Sequence, residues 1–441
     1  MTPNNDAPVA SATSSFSASS AASSSSAASS FSASSAASSS SAAPKERLWT
    51  RSYVLICIAN FLMCFSFYTL VPTLPFYLEQ HFGAGRTMIG IILSCYTLAV
   101  LCVRPFAGWI ADTFQRKPLY MVAYFLFISM FVGYLVAGAL LVFGLIRMMH
   151  GLTFGMVTTT GNTLVIDIMP SSRRGEGLGY YGVMNNLAMS VGPMIGLFIL
   201  SSGNFDTIFY SSLISGGLGL VFASQVKVPR RELKRSTKGA SSDRFILKKG
   251  LPAAGSMMLF SIPWGMTMTF IAMHAGELKL AINTGYFFTV MAVGLIISRI
   301  GSGKRVDRGE ITQVIFQGML IVFAGILCEA FLGLTAAHSM TGAAVLYFAA
   351  AFLIGFGYGT IFPASNTLFV NLAPNDRRAT ANATYLTGWD VGIGMGMFIG
   401  GRVAEKWGLG TIYYIDIALA AISIVWFALY VTPHFHRNKL R

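Results

Sequence analysis

Charge is what this sequence has least of. Only 11% of its 441 residues are Asp, Glu, Lys or Arg, where a soluble domain carries roughly 25%. So few charges cannot cover a water-exposed surface, so most of the surface must face lipid. Acids are scarcer than bases, 17 against 31, for a net charge of +14. Cysteine is sparse too. Cys57, Cys64, Cys95, Cys102 and Cys328 all lie inside apolar runs. None has CxxC or metal-ligand spacing, which argues against a metal ribbon or a disulfide framework and makes them small apolar side chains. No HExxH, GxSxG or P-loop falls on a suitable element, so proteolysis, acyl hydrolysis and direct ATP drive have no support. No metal or cofactor is expected.

Hydrophobic residues, by contrast, make up 54% of the chain, and the mean hydropathy is +0.62. The length beyond the N-terminal tail accommodates about twelve spans of roughly 20 residues with short loops. The apolar runs place them near 52–78, 87–111, 118–138, 140–167, 176–200 and 206–226, then 251–275, 282–302, 312–335, 342–370, 379–402 and 410–431. Residues 1–44 are almost pure Ser and Ala with no basic start and no continuous apolar core; they are expected to be a disordered tail rather than a signal peptide. The expected organisation is a first six-helix bundle over 45–226, a basic link over 227–250, a second six-helix bundle over 251–432 and a basic tail over 433–441.

The cations are distributed unevenly. Arg116 and Lys117, Arg173 and Arg174, the central link, Arg305 and Arg308, Arg377 and Arg378, and the C-terminal tail all fall on one side of the expected bilayer. The opposite loops hold few, such as Arg86, Lys279 and Lys406. The positive-inside rule makes the rich side cytoplasmic and puts both termini there. It also explains the net charge better than nucleic-acid binding does.

The chain repeats itself. Gly151, Gly155, Asn162, Thr163, Leu164, Pro170, Arg173 and Arg174 coincide without a gap with Gly355, Gly359, Asn366, Thr367, Leu368, Pro374, Arg377 and Arg378. A fainter echo aligns Arg104, Gly108 and Asp112 with Arg299, Gly303 and Asp307. Two halves of six spans in the same orientation form a parallel pseudo-repeat, in an all-α membrane protein.

Several stretches carry a family resemblance. Gly108-x-x-x-Asp112-x-x-x-Arg116-Lys117 is similar to the loop 2–3 motif of the major facilitator superfamily, with Gln115 where a Gly is usual. Arg147-x-x-His150-Gly151 resembles the span 4 motif of the proton-coupled drug exporters, with His in place of Gln. Gly179 to Gly192-Pro193-x-x-Gly196 resembles the exporter-associated motif of span 5, with Ala188 and Leu197 replacing two glycines, and Pro72-x-x-Pro75 resembles a further exporter pattern in span 1. The resemblance covers everything after the tail and implies the major facilitator fold, with a substrate site near the midplane between rocking halves.

The expected roles follow from these residues. Arg104, Gly108, Asp112, Arg116, Lys117, Gly303 and Asp307 are gating residues, with Asp167 the acid partner for Arg116 or Lys117; such a cluster would lock the halves together on the cytoplasmic side. Asn371 replaces that acid in the second copy. Charges inside spans are costly and mark function, so Asp390 is the first choice for a protonatable carboxylate, followed by Glu329, with Arg147 and His150 sharing one helix face. Asp416 is expected near the interface. Asn60, Tyr68, Asn185, Asn186, Trp264, Tyr358 and Trp389 are expected to line a substrate cavity, and Gly179, Gly192, Pro193 and Gly196 to form a packing seam or hinge. The leading expectation is a monomeric, proton-coupled antiporter that exports small amphipathic molecules by alternating access from a plasma (inner) membrane. The alternatives are an uptake or exchange carrier for a sugar, organic anion or other metabolite, and, from another class, an intramembrane enzyme or receptor-like protein.

Overall fold

The computed structural model describes residues 47–170, 173–228, 246–374 and 377–440. The Ser/Ala tail 1–44 and most of the basic link, 229–245, lie outside the described residues. Within them there is no strand. The helices are α1 Arg51–Tyr68, α2 Leu74–Phe82, α3 Arg86–Thr113, α4 Arg116–Val136, α5 Leu140–Ile168, α6 Arg174–Leu200 and α7 Phe205–Ser224 in the first half. The second half holds α8 Leu251–Glu277, α9 Tyr286–Asp307, α10 Ile311–Ala330, α11 Leu332–His338, α12 Met340–Asn371, α13 Arg378–Trp407, α14 Leu409–Trp426 and α15 Thr432–Asn438.

Ten helices among the described residues are long and apolar enough to cross a membrane. The remaining two expected spans are α9 and α13. Each is long enough, at 22 and 30 residues; the described part of α9, Tyr286–Arg299, is a shorter apolar helix, whereas α13 dilutes its apolar content with Asn382, Thr384, Thr387, Asp390 and Arg402. Three expected spans are interrupted. The 52–78 run breaks between Tyr68 and Leu74, where Pro72 withholds an N–H and Pro75 occupies the first turn of α2. The 312–335 run divides at Phe331. The 410–431 run passes through a π-helical stretch, Phe427–Val431, and then continues into the expected tail as α15.

Small residues set the packing. In the first half α1 packs on α6 and α7, α3 on α5, and α4 on α5 and α7; in the second, α8 packs on α13 and α14, α9 on α12, and α10 on α12 and α14. Gly151 and Gly155 bring α5 against the backbone of Tyr96 and Val100 in α3, and Gly355 and Gly359 bring α12 against Met291 and Leu295 in α9. A side chain at any of these positions would push the helices apart, and without a hydrophobic effect inside lipid such close contact is what joins them. Helix α8 is enclosed on nearly every side, whereas Val136, Leu141, Ile214, Val345 and Leu429 project outward as a lipid-facing surface.

The halves meet through α3 on α13 and α6 on α9. The described contacts gather at the end where α3 begins and where α8 and α13 finish. There Arg86 pairs with Glu277, its Nη1 donates to the Ala404 carbonyl at 3.2 Å, and the Thr87 amide donates to Glu405 at 2.7 Å. A Cβ on Gly90 would lie 3.1 Å from the Gly401 Cα, and one on Gly394 would lie 3.0 Å from Thr97. On the other seam Phe198 meets Tyr286 edge-on at 5.1 Å.

Candidate functional site

The deepest of these contacts between halves is an ion pair. Arg104 of α3 and Asp390 of α13 approach to 2.6 Å, with their side chains 18% and 19% exposed. The charges touch without a directed hydrogen bond: Arg104 Nε and Asp390 Oδ2 both lack one. Arg104 lies 18 residues along α3 from Arg86, roughly 27 Å at 1.5 Å per residue, so the pair sits far from the Arg86–Glu277 bridge. Tyr68, Tyr96 and Tyr385 stand within electrostatic reach of Asp390. The site is thus built from α1, α3 and α13, with one positive and one negative side chain, paired with each other, supplied by opposite halves.

A second polar group lies wholly inside the first half. Arg147 and His150 are fully buried on α5. His150 Nδ1 and the Tyr134 hydroxyl are hydrogen-bonded at 2.8 Å, and Arg147 Nη1 donates to the same hydroxyl at 3.5 Å. The guanidinium lies 4.4 Å from the Tyr96 ring centre and 5.4 Å from that of Phe67. Arg147 therefore has aromatic faces in place of a carboxylate, an attraction that strengthens when water is excluded. Tyr96 touches this cluster and also senses Asp390, so it links the two groups.

One expected pairing among the gating residues is present, and it lies within one bundle. Arg116 does pair with Asp167, at 2.6 Å, and also donates to the Thr163 carbonyl at 3.3 Å. Lys117 donates to the Ser224 carbonyl at 2.9 Å. These partners belong to α4, α5 and α7 of one bundle, so the Arg116–Asp167 bridge braces the first half internally. A Cβ on Gly108 or Gly303 would meet no described atom within 4 Å, so neither is a close-packing position here. The side chains of Asp112 and Asp307 lie outside the described residues. In the second copy Arg305 pairs with Glu310, at 2.8 Å.

The remaining candidates divide. Gly192 and Gly196 press α6 onto Tyr68 and Thr69, forming a tight seam beside Pro193, while Gly179 faces open space. Trp264, Tyr358 and Trp389 are buried and pack against the half-buried Phe362 in the second half, with Trp264 and Tyr358 edge-on at 4.6 Å. The Tyr358 hydroxyl donates to the Phe260 carbonyl at 2.9 Å. They are aromatic core as arranged here. Asn60 is buried and its Nδ2 donates to the Tyr181 carbonyl at 3.5 Å; Tyr68 and Asn186 are half-buried and Asn185 is exposed. Glu329 is buried and accepts from Thr267 at 2.9 Å. Asp416, expected at the interface, is fully buried, because α14 turns that face toward α8 and α10.

Tyr96, Tyr385 and the pairing of Arg104 with Asp390 were not legible from spacing. A signal did exist: Arg104 and Asp390 are opposite charges inside apolar runs of opposite halves, and buried charges need partners.

A sequence model of the Major Facilitator Superfamily matches residues 56–348 and 323–441. The chain belongs to that superfamily. As a facilitator it is an integral, multi-pass membrane transporter and not an enzyme. It is 23% identical over 369 residues to the staphylopine export protein of Staphylococcus aureus, covering 80% of this chain and 89% of that one. It is 24% identical over 392 residues to the quinolone resistance protein NorA of the same species, covering 86% and 96%. Among solved structures, a POT family transporter in complex with 5-aminolevulinic acid shares the fold with a TM-score of 0.71 at 15% identity, covering 87% of this facilitator and 96% of that chain.

Proposed function

We propose that this facilitator exports small amphipathic molecules in exchange for protons, by alternating access, with both termini in the cytoplasm. Twelve spans, the ten apolar ones together with α9 and α13, carry the rocking halves. The observation that supports this most directly is the Arg104–Asp390 pair, a cation and a carboxylate contributed by opposite halves in the protein interior. A proton taken up by Asp390 cancels one charge and removes the attraction between α3 and α13. The bond between the halves is then sensitive to protonation, as coupling requires. With the cation-rich side inside, the Arg86–Glu277 end faces outward, and the structure corresponds to a state closed to the exterior. The two exporters named above favour efflux over uptake.

Everted membrane vesicles carrying a fluorescent amphipathic cation test the reading. An antiporter accumulates the dye when the vesicle interior is acidic and stops when the gradient is collapsed. Asp390→Asn holds that position neutral, so dye movement in the variant should lose its dependence on the gradient. Unchanged gradient-driven accumulation by Asp390→Asn would remove Asp390 from the coupling step. Accumulation only with an alkaline interior would reverse the direction and make this an uptake carrier.

A further inference from the structure

The second half contains two buried acids that the exchange at Asp390 leaves unused. Glu329 on α10 is 1% exposed and Asp416 on α14 is 0% exposed. Glu329 Oε1 and both oxygens of Asp416 have no hydrogen-bond partner, and Glu329 Oε2 has only the Thr267 hydroxyl. Asp416 lies within electrostatic reach of Glu329. Neither acid has a Lys or Arg partner among the described residues.

The surroundings are polar but otherwise unpaired. From α14, the fully buried Tyr413 hydroxyl has no partner and stands within reach of both acids. From α8 come Thr267 and His274, whose two ring nitrogens are both unpartnered; the His274 ring lies 5.4 Å from that of Tyr413. From α12 come Tyr347 and Tyr358, whose hydroxyls are committed to the Thr284 and Phe260 carbonyls. Cys328 adjoins Glu329 on α10, and Arg86 is the nearest cation named from this side, sensed only by His274. An ionised carboxylate costs several kcal/mol to hold in such a place without a cation, and two that share a dry site do not both ionise. Three carboxylate oxygens buried with neither a donor nor a cation suit acids that hold a proton, because the neutral form avoids the cost of a buried, unpaired charge.

We infer that Glu329 and Asp416 form a proton-binding dyad in the second half, separate from the Arg104–Asp390 pair, that loads and releases protons as a coupled unit. The inference rests on the proton-exchange reading, but it assigns that ion a second site. No bond other than O–H forms or breaks: each carboxylate takes a proton from water and returns it.

Infrared spectroscopy of the full-length protein in lipid nanodiscs reads protonated carboxyl groups directly through their carbonyl stretch. With Asp390→Asn as the background, so that the Asp390 carboxyl is absent, a pH titration should lose two such bands in two separate steps, the signature of coupled acids. Glu329→Gln and Asp416→Asn should each remove one band and leave a single step. Thr267→Val should shift the midpoint of the Glu329 step. Replacing choline with sodium at fixed pH should leave both bands in place. Should Asp416→Asn fail to fold, Tyr413→Phe keeps both acids and should shift both midpoints. Bands that survive in both acid variants, that never titrate, or that sodium displaces would overturn the dyad. Dye accumulation separates this from the reading on which it rests. If acid-inside vesicles drive wild type, Glu329→Gln and Asp416→Asn equally, the dyad is refuted and proton-driven export stands. If the wild type shows no gradient-driven accumulation while the bands titrate as a pair, the dyad stands and the export reading fails.

Discussion

Breaking the Arg104–Asp390 pair should bias the whole molecule rather than unfold it. The two charges belong to different halves, so any state in which α3 and α13 separate loses the pair, while each bundle keeps its internal packing. At a charge separation of about 4 Å and an effective dielectric near 20, the gross attraction is about 4 kcal/mol. Desolvation of two side chains that remain about a fifth exposed offsets a good part of it, leaving about 2 kcal/mol. That corresponds to about a 30-fold change in the ratio of the separated to the joined state. Distances between spin labels measure that ratio in a background with the five native cysteines replaced. One pair is placed at the exposed positions Ser202 and Lys279, near the joined end, and a second at Phe114 and Arg308, near the other end. Arg104→Gln should raise the separated population at the first pair by about 30-fold and shorten the second distance reciprocally. Exchanging the charges, Arg104→Asp with Asp390→Arg, should return both distributions toward wild type. Unchanged distributions in Arg104→Gln, or a charge exchange that rescues nothing, would show that the pair does not hold the halves.

The Arg116–Asp167 bridge should behave in the opposite way. Asp167→Asn should lower the thermal unfolding temperature of the purified transporter, at a cost of about 1–2 kcal/mol for a partly buried charged hydrogen bond, and leave the spin-label distances alone. Tyr134→Phe strands His150 Nδ1 in a fully buried site and should cost about 1–3 kcal/mol in the same melting measurement, with a repolarised aromatic spectrum around Arg147 as a second readout. Gly401→Val forces a branched side chain onto the Gly90 backbone. Overpacking of this kind costs about 1–3 kcal/mol and here falls on the joined state alone, so gradient-driven dye accumulation should be lost while melting changes little.

Fold class followed from charge scarcity and run length, because lipid leaves helices as the main way to satisfy a spanning backbone. Helix α13 shows where that reasoning weakens. It packs against α3, α8 and α14 and carries Asp390 and Arg402, so hydropathy alone does not single it out. The break at Thr69–Thr73 was foreseeable from Pro72 and Pro75, but the surrounding apolar run obscured it. For the site, sequence spacing found Arg116 and its partner Asp167 but did not pair Arg104 with Asp390. Arg116 and Asp167 are a real pair, yet spacing cannot say whether two helices belong to one bundle or two. Arg104 was grouped with the turn that follows it because they are adjacent in the chain, whereas its partner lies 286 positions away in the other half (390 − 104). Asp416 was placed at the interface because it lies in the outer part of its span. Its burial is decided by rotation about the helix axis, which a nearly uniformly apolar helix does not reveal.

The contact of Gly90 with the Gly401 backbone has a consequence for the speed of the cycle. Side chains that interlock must find their rotamers each time two surfaces rejoin, and they give up rotamer entropy to do so, up to about 2 kcal/mol for a long one. Two glycines bring no rotamers and little apolar area. The surfaces can therefore part and return with almost no reordering there, and the grip at that end is left to the polar contacts around them, Arg86 with Glu277 and the Ala404 carbonyl and the Thr87 amide with Glu405. Smooth backbone faces clasped by switchable charges behave as a low-friction catch, so the barrier to each stroke is set by desolvating and re-pairing ions and not by unpacking a core.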